Sequence, residues 1–216
     1  MKAQNVAVIF DMDGVIFDSE QAFIDSFRVI CEQEQMAFRE DACHDCIGVN
    51  WNRCKQIFED AYGADFDFPH YYDLVRERMG TLRFDLKPGV HAVFAYLRER
   101  HIPIALASST REASVRRMLD DAGLTAYFDA IICGDMVSHS KPHPEIFLTA
   151  AARLGADPES CYVIEDSFNG IRCAHNAGMH PIMVPDILQP DEEITALAEV
   201  ILPSLTEVID YFEEVL

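Results

Sequence analysis

Phe10-Asp11-Met12-Asp13-Gly14-Val15 is the stretch from which the fold is read. The apolar run from Val6 to Phe10 stops abruptly at two carboxylates and a glycine. Side chains two apart on an extended chain point the same way, so Asp11 and Asp13 are expected to leave a strand end side by side. Gly14 allows a sharp turn there because it has no Cβ to clash. Two neighbouring carboxylates repel each other and a cation relieves that repulsion. Oxygen ligands of this kind suit Mg²⁺.

Downstream, the pattern changes to helix. Apolar Phe23, Phe27, Ile30 and Cys31 recur at helical spacing after a helix start at Asp18-Ser19-Glu20. Helical pieces are predicted over residues 18–34, 51–62 and 69–81, with no strand before about residue 83. After Lys87-Pro88-Gly89 strands and helices alternate. Short apolar strands are predicted at residues 102–107, 128–133, 161–164, 181–184 and 199–202. Alternation of this kind implies a parallel sheet with helices on both faces. The expected fold class is therefore α/β, a parallel-sheet core interrupted by an inserted all-helical cap domain. The boundaries predicted are residues 1–16 with 86–216 for the core and 17–85 for the cap.

Four polar clusters fall at comparable places beyond the ends of predicted strands, Lys141 in the loop after the third. They are Asp11/Asp13, Ser108/Ser109, Lys141 in Ser140-Lys141-Pro142, and Glu165/Asp166. Ligands of parallel α/β sheets sit beyond the carboxyl ends of the strands, so all four are expected at one edge. Serines, threonines and aspartates before helices commonly cap them, and Ser109, Thr110 and Ser167 fit that role too. An acid pair, a hydroxyl, a lysine and a second acid pair together suit phosphoryl transfer. A phosphate monoester is a dianion, and its negative charge must be neutralised before an anionic nucleophile can approach. Mg²⁺ on Asp11, Asp166 and Glu165 would do part of this, and Lys141 as a fixed charge the rest. Ser108 would hold phosphate oxygens, Asp11 would attack phosphorus, and Asp13 would serve as acid and base.

These motifs resemble the haloacid dehalogenase superfamily, in its helical-cap phosphatase and β-phosphoglucomutase-like branch. The matching segments are Asp11-Met12-Asp13-Gly14-Val15-Ile16-Phe17-Asp18-Ser19-Glu20, Ala107-Ser108-Ser109, Lys141-Pro142-His143-Pro144-Glu145 and Val163-Ile164-Glu165-Asp166-Ser167. The resemblance implies a Rossmann-like core, dependence on Mg²⁺, an aspartyl-phosphate on Asp11, and the Asp13 backbone carbonyl as a metal ligand. The second acid pair sets the chain apart from the dehalogenase and phosphonatase members.

The function expected is a Mg²⁺-dependent phosphatase acting on a small phosphorylated metabolite, a sugar phosphate, with a phosphosugar mutase as the alternative. Mutases of this branch carry a histidine about where Phe23 stands and an arginine about where Asn50-Trp51 stands, which favours water as acceptor. Asn50, Trp51 and Arg53 in the cap loop are the candidates for substrate selection, with Ser109 and Lys141 for the phosphate. Trp51 is the only tryptophan, and an indole can stack on a sugar or a base.

Lys plus Arg number 17 against 37 Asp plus Glu, a formal charge of −20 over 216 residues. That field does not attract nucleic acid or anionic membranes, and no apolar run reaches a membrane span. The start of the chain runs at once into the first strand, which predicts no signal peptide. A cytoplasmic protein is expected, a monomer or weak homodimer whose partner is the small phosphorylated metabolite. The seven cysteines are odd in number and irregularly spaced, so reduced buried thiols are expected. The Cys43/Cys46 spacing lacks the second pair of a zinc site.

Overall fold

The computed structural model describes residues 6–216; residues 1–5, expected to lead directly into the first strand, lie outside the described residues. Six strands form one parallel sheet: β1 (Ala7–Phe10), β2 (Ile104–Ser108), β3 (Ala130–Cys133), β4 (Cys161–Glu165), β5 (His180–Met183) and β6 (Val200–Ile201). Their order is β3-β2-β1-β4-β5-β6. Phe10 is in register with Leu106 on one side and Ile164 on the other. The order of strands therefore reverses at β1, and the crevice beyond its carboxyl end is where such sheets bind ligands.

Both faces of the sheet are covered, which is why β1 and β2 are apolar throughout rather than alternating. The side chains still differ by face. Val8, Phe10, Ile104 and Leu106 point to a cluster completed by the helices α5 (Val90–Glu99), α6 (Glu112–Asp121) and α10 (Leu205–Val215). Ala7, Ile9, Ala105 and Ala107 point to the other face. There the small alanines let α7 (Glu145–Leu154) lie close, through Ile146, Phe147, Ala150 and Ala151. The helix α8 (Phe168–Asn176) adds Cys173 and Ala174 to the same layer.

Between β1 and α5 the chain makes only helices: α1 (Glu20–Gln33), α2 (Glu40–Asp45), α3 (Trp51–Tyr62) and α4 (Phe68–Gly80). They have their own apolar cluster, built on Ile24, Phe27, Ile30, Phe58, Phe68 and Val75. A run of stacked rings, Phe58–Tyr62, Tyr62–Phe66 and Phe66–Tyr71, crosses it at centroid separations of 6.0, 4.7 and 4.8 Å. Asn50 caps α3 by accepting from the Arg53 N–H, and Asp67 caps α4 by accepting from His70. The chain leaves and re-enters the sheet through paired segments. Asp18 N donates to Asp85 O at 3.0 Å, and Lys87 N to Ile16 O at 2.9 Å.

Three features differ from expectation. The helices α2 and α9 (Glu192–Leu197) were not anticipated. Each has six residues, too few for a periodic apolar stripe to be read. The thiols are also not all free. Cys46, just past α2, and Cys54, in the first turn of α3, form a disulfide with Cα atoms 5.2 Å apart. The turn at residues 47–50 folds the chain back on itself and makes these cysteines neighbours, whereas Cys43 stays buried and free.

Candidate active site

Asp11 follows the last residue of β1, and its N–H donates to Ile164 O, which prolongs the ladder into the crevice. The Asp11 side chain is buried. Its Oδ1 receives Lys141 Nζ at 2.7 Å. The same ammonium donates to Glu165 Oε1 at 2.5 Å and to Ala107 O at 3.3 Å, so its three hydrogens are all used. Lys141 comes from the loop between β3 and α7, Ala107 from β2 and Glu165 from the end of β4. The reversal of strand order is what brings these loops together.

Glu165 is tied at both oxygens. Its Oε2 accepts the N–H groups of Asp166 and Ser167 at 3.0 and 2.9 Å and the Ser167 hydroxyl at 2.9 Å. Ser167 also caps α8 by accepting from the Gly170 N–H. Gly170 is required at that point, because a Cβ there would collide with the Glu165 carboxyl group.

Asp13 is held from two sides. Its Oδ1 receives Ser19 Oγ at 2.6 Å, and its Oδ2 receives Thr110 Oγ1 at 2.8 Å. Ser108 Oγ, buried, accepts the Thr110 N–H at 3.0 Å and lies 3.4 Å from Asp13 Oδ2. Sequence reasoning read Ser19 only as part of a helix start and assigned Thr110 mainly to capping. Ser19 does occupy the N-cap position of α1, yet its hydroxyl makes no cap bond and goes to Asp13 instead.

Asp11, Glu165 and Asp166 offer carboxylate oxygens that lie within 4.8 Å of one another. Asp166 Oδ2 is buried with no hydrogen-bond partner among the described residues. An orphaned anionic oxygen inside a protein is costly, and a cation beside it removes the cost. Gly14 leaves room for that carboxylate. Its φ is +75°, and a Cβ there would overlap Asp166. Hard oxygen donors, one of them unpartnered, fit a divalent cation such as Mg²⁺.

The charges shift accordingly. Burial, with repulsion from Glu165 and Asp13, pushes the Asp11 carboxyl up to about 8 despite the opposing pull of Lys141. Burial, with Glu165, Glu20 and Asp11 nearby, raises Asp166 well above the usual carboxylate range. Burial alone would lower Lys141, but Asp11 and Glu165 more than offset it and keep the ammonium charged. Burial and the neighbouring Asp13 and Asp11 also raise Glu20, a residue that sequence reasoning did not place in the site.

A cavity of about 430 Å³ opens from Asp11 and Asp13 between the sheet edge and the helical insert. Asn50, Trp51 and Ser109 line it, as does Phe23. Ser109 Oγ donates to Gly48 O at 3.2 Å, a bond between the sheet edge and the helical insert. Arg53 is not brought into this cavity. It lines a separate, more open groove with Asn50, Ser140 and His143. The arginines of the main cavity are Arg76, Arg111 and Arg117, which sequence reasoning missed because they carry no motif.

The model of the haloacid dehalogenase-like hydrolase family matches residues 8–184. The chain is 31% identical over 214 residues to a phosphorylated carbohydrates phosphatase from Thermotoga maritima, covering 97% of this chain and 99% of that one. It is 31% identical to hexitol phosphatase B from Escherichia coli, with 94% of each chain covered. Among solved structures, CbbY from Rhodobacter sphaeroides in complex with phosphate superposes with a TM-score of 0.80 at 26% identity, over 94% of this chain and 95% of that one. The chain belongs to the haloacid dehalogenase-like hydrolase family and is a phosphoric monoester hydrolase.

Proposed function

We propose that this protein is a cytoplasmic, Mg²⁺-dependent phosphatase of a small phosphorylated carbohydrate, working through an aspartyl-phosphate on Asp11. The observation that carries the reading is the buried cluster of Asp11, Lys141 and Asp166, with one Asp166 oxygen unpartnered. Relatives acting on phosphorylated carbohydrates and hexitols support the substrate class. Asp11, Asp166 and the Asp13 backbone carbonyl would hold the cation, which when bound neutralises charge on the transferring phosphoryl group.

Asp11 attacks phosphorus with its carboxylate, and the ester oxygen leaves with a proton from Asp13. Asp13 then takes a proton from water, which cleaves the acyl phosphate and frees Asp11. Ser19 and Thr110 keep the Asp13 carboxyl aimed through both steps. Lys141 supplies fixed positive charge beside the nucleophile, and Glu165 keeps it in place. Ser108 accepts the Thr110 N–H and donates to Asp13 Oδ2 across a long 3.4 Å, a weak bond from which its hydroxyl can turn to a phosphate oxygen. Phe23 in the cavity wall offers no proton-transfer group, which favours hydrolysis over a mutase reaction.

Phosphate release from a panel of sugar phosphates, with and without Mg²⁺ and beside Asp11→Asn, tests the proposal. Metal-dependent release that disappears in Asp11→Asn is expected. Isomerised sugar phosphate without free phosphate would identify a mutase instead, and no turnover of any ester would sink both.

A further inference from the structure

The cavity wall is chemically uneven. Its anion-handling end holds Asp11, Asp13 and Thr110. Much of the remaining wall is apolar or aromatic, including Phe23, Trp51, Tyr72, Met79, Phe84 and Met118. A bare polyol placed there would bury hydroxyls against rings and thioethers, at about 1–3 kcal/mol for each one left unpaired. Some of the polar side chains of the wall are already engaged. The Asn50 side-chain oxygen already accepts the Arg53 N–H, and the Ser109 hydroxyl is bonded to Gly48. Glu20, Tyr72 and Arg76 also line the wall and can meet the hydroxyls of a sugar, while Arg117 is engaged with Gly80 O.

The aromatic wall has a built feature. Trp51 is braced edge-on by Phe68 and Tyr72, at centroid separations of 5.5 and 6.4 Å. Above the indole, at 5.7 Å from its centroid, stands the guanidinium of Arg111. Arg111 is exposed and makes no ion pair among the described residues, so it can swing to admit a ring. An indole held on one side and an exposed, unpaired guanidinium on the other bind planar heterocycles by stacking and cation–π attraction.

We propose that the substrate is a pentose phosphate carrying a planar heterocycle, in chemical class a nucleoside monophosphate. Its ring lies against Trp51 beneath Arg111, and its sugar hydroxyls meet Glu20. The inference rests on the phosphatase reading and narrows its substrate.

Trp51 is the only tryptophan, so its fluorescence reports the stacking directly and without turnover. Uridine and adenosine 5′-monophosphates, added to the Asp11→Asn protein, are expected to quench it saturably, and ribose 5-phosphate to leave it unchanged. In the unaltered enzyme kcat/KM for the better nucleotide should exceed that for ribose 5-phosphate at least tenfold. Trp51→Leu should raise KM for the nucleotide more than tenfold and for ribose 5-phosphate far less, with Trp51→Phe restoring most of the difference. Equal or better turnover of ribose 5-phosphate, fructose 1-phosphate or sorbitol 6-phosphate would overturn the inference, as would absence of quenching. Quenching by nucleotides with no phosphate released from any ester would instead break the phosphatase reading and leave nucleotide binding standing.

Discussion

Lys141 and Glu165 meet at 2.5 Å with neither side chain open to solvent. The ammonium also reaches Asp11, so one cation holds two carboxylates that would otherwise repel. Removing one partner of a buried pair typically costs about 3–5 kcal/mol, because the other is left uncompensated. Glu165→Gln should therefore lower the stability of the metal-free protein by about that amount, read from urea denaturation. It should also lower kcat, because Lys141 then falls wholly on the nucleophile. The Mg²⁺ concentration for half-maximal activity should change little. A large rise in that concentration at unaltered metal-free stability would mean that Glu165 is a metal ligand rather than the anchor of Lys141.

Ser19 and Thr110 make the second arrangement open to test. Both donate to Asp13, and neither touches Asp11. A positioned acid and base contributes about 10²–10⁴ in rate, and loosening its aim forfeits part of that. Ser19→Ala and Thr110→Val should each reduce kcat about tenfold to a hundredfold with a small change in KM. The loss should shrink for an ester of an acidic phenol, whose departure needs little protonation. An equal loss with alkyl and phenyl esters would point to damage elsewhere in the site.

These two hydroxyls also mark where the sequence stops being legible. The sheet, the helical insert and the four polar clusters follow from local pattern: apolar runs, helical spacing, and acids or hydroxyls just past strand ends. Asp11 and Glu165 were found because each sits at such an end and Lys141 because it lies in the loop beyond one, and the topology brings them together. Ser19 was seen as a helix start because serine at that place usually caps. Only the return of the chain toward β2 shows that its hydroxyl faces Asp13. Arg76 and Arg117 lie inside helices, on faces that become cavity wall only once two layers are assembled. The Cys46–Cys54 pair depends on a turn direction that spacing does not encode.

Gly14 couples the backbone to the acid cluster. Its φ of +75° is strained for any side chain, and the space where a Cβ would go holds the Asp166 carboxylate. Gly123 has a similar φ of +69° but open space around it. Strain alone costs on the order of 1–2 kcal/mol. Gly123→Ala should therefore lose about that much stability and keep its activity. Gly14→Ala should lose more and, by displacing Asp166, should lose Mg²⁺-dependent activity altogether. Equal destabilisation by the two substitutions, with activity kept in both, would remove Gly14 from the site's architecture.

The acid cluster also sets how stability depends on pH. Asp11 is raised from 3.8 to about 8 in the folded protein, and Asp166 is raised as well. Between those limits the folded state keeps protons that the unfolded chain has released. Stability then falls as pH rises through the window, by up to about 1.4 kcal/mol per pH unit for each such proton. Carboxylates held below their usual range, such as Glu145, Glu193 and Glu207, act below about pH 4.5 and do not oppose this trend. The metal-free protein should therefore lose stability steadily from about pH 5 to about pH 8, and Asp166→Asn should flatten the slope. A divalent cation competes with those same protons, so the stabilisation by Mg²⁺ should grow across the interval and be smallest at its acid end. Urea midpoints measured with EDTA and with saturating Mg²⁺ test both statements. A metal-free midpoint that rises with pH, or a Mg²⁺ increment independent of pH, would show that these carboxylates are already ionised in the folded state without a cation.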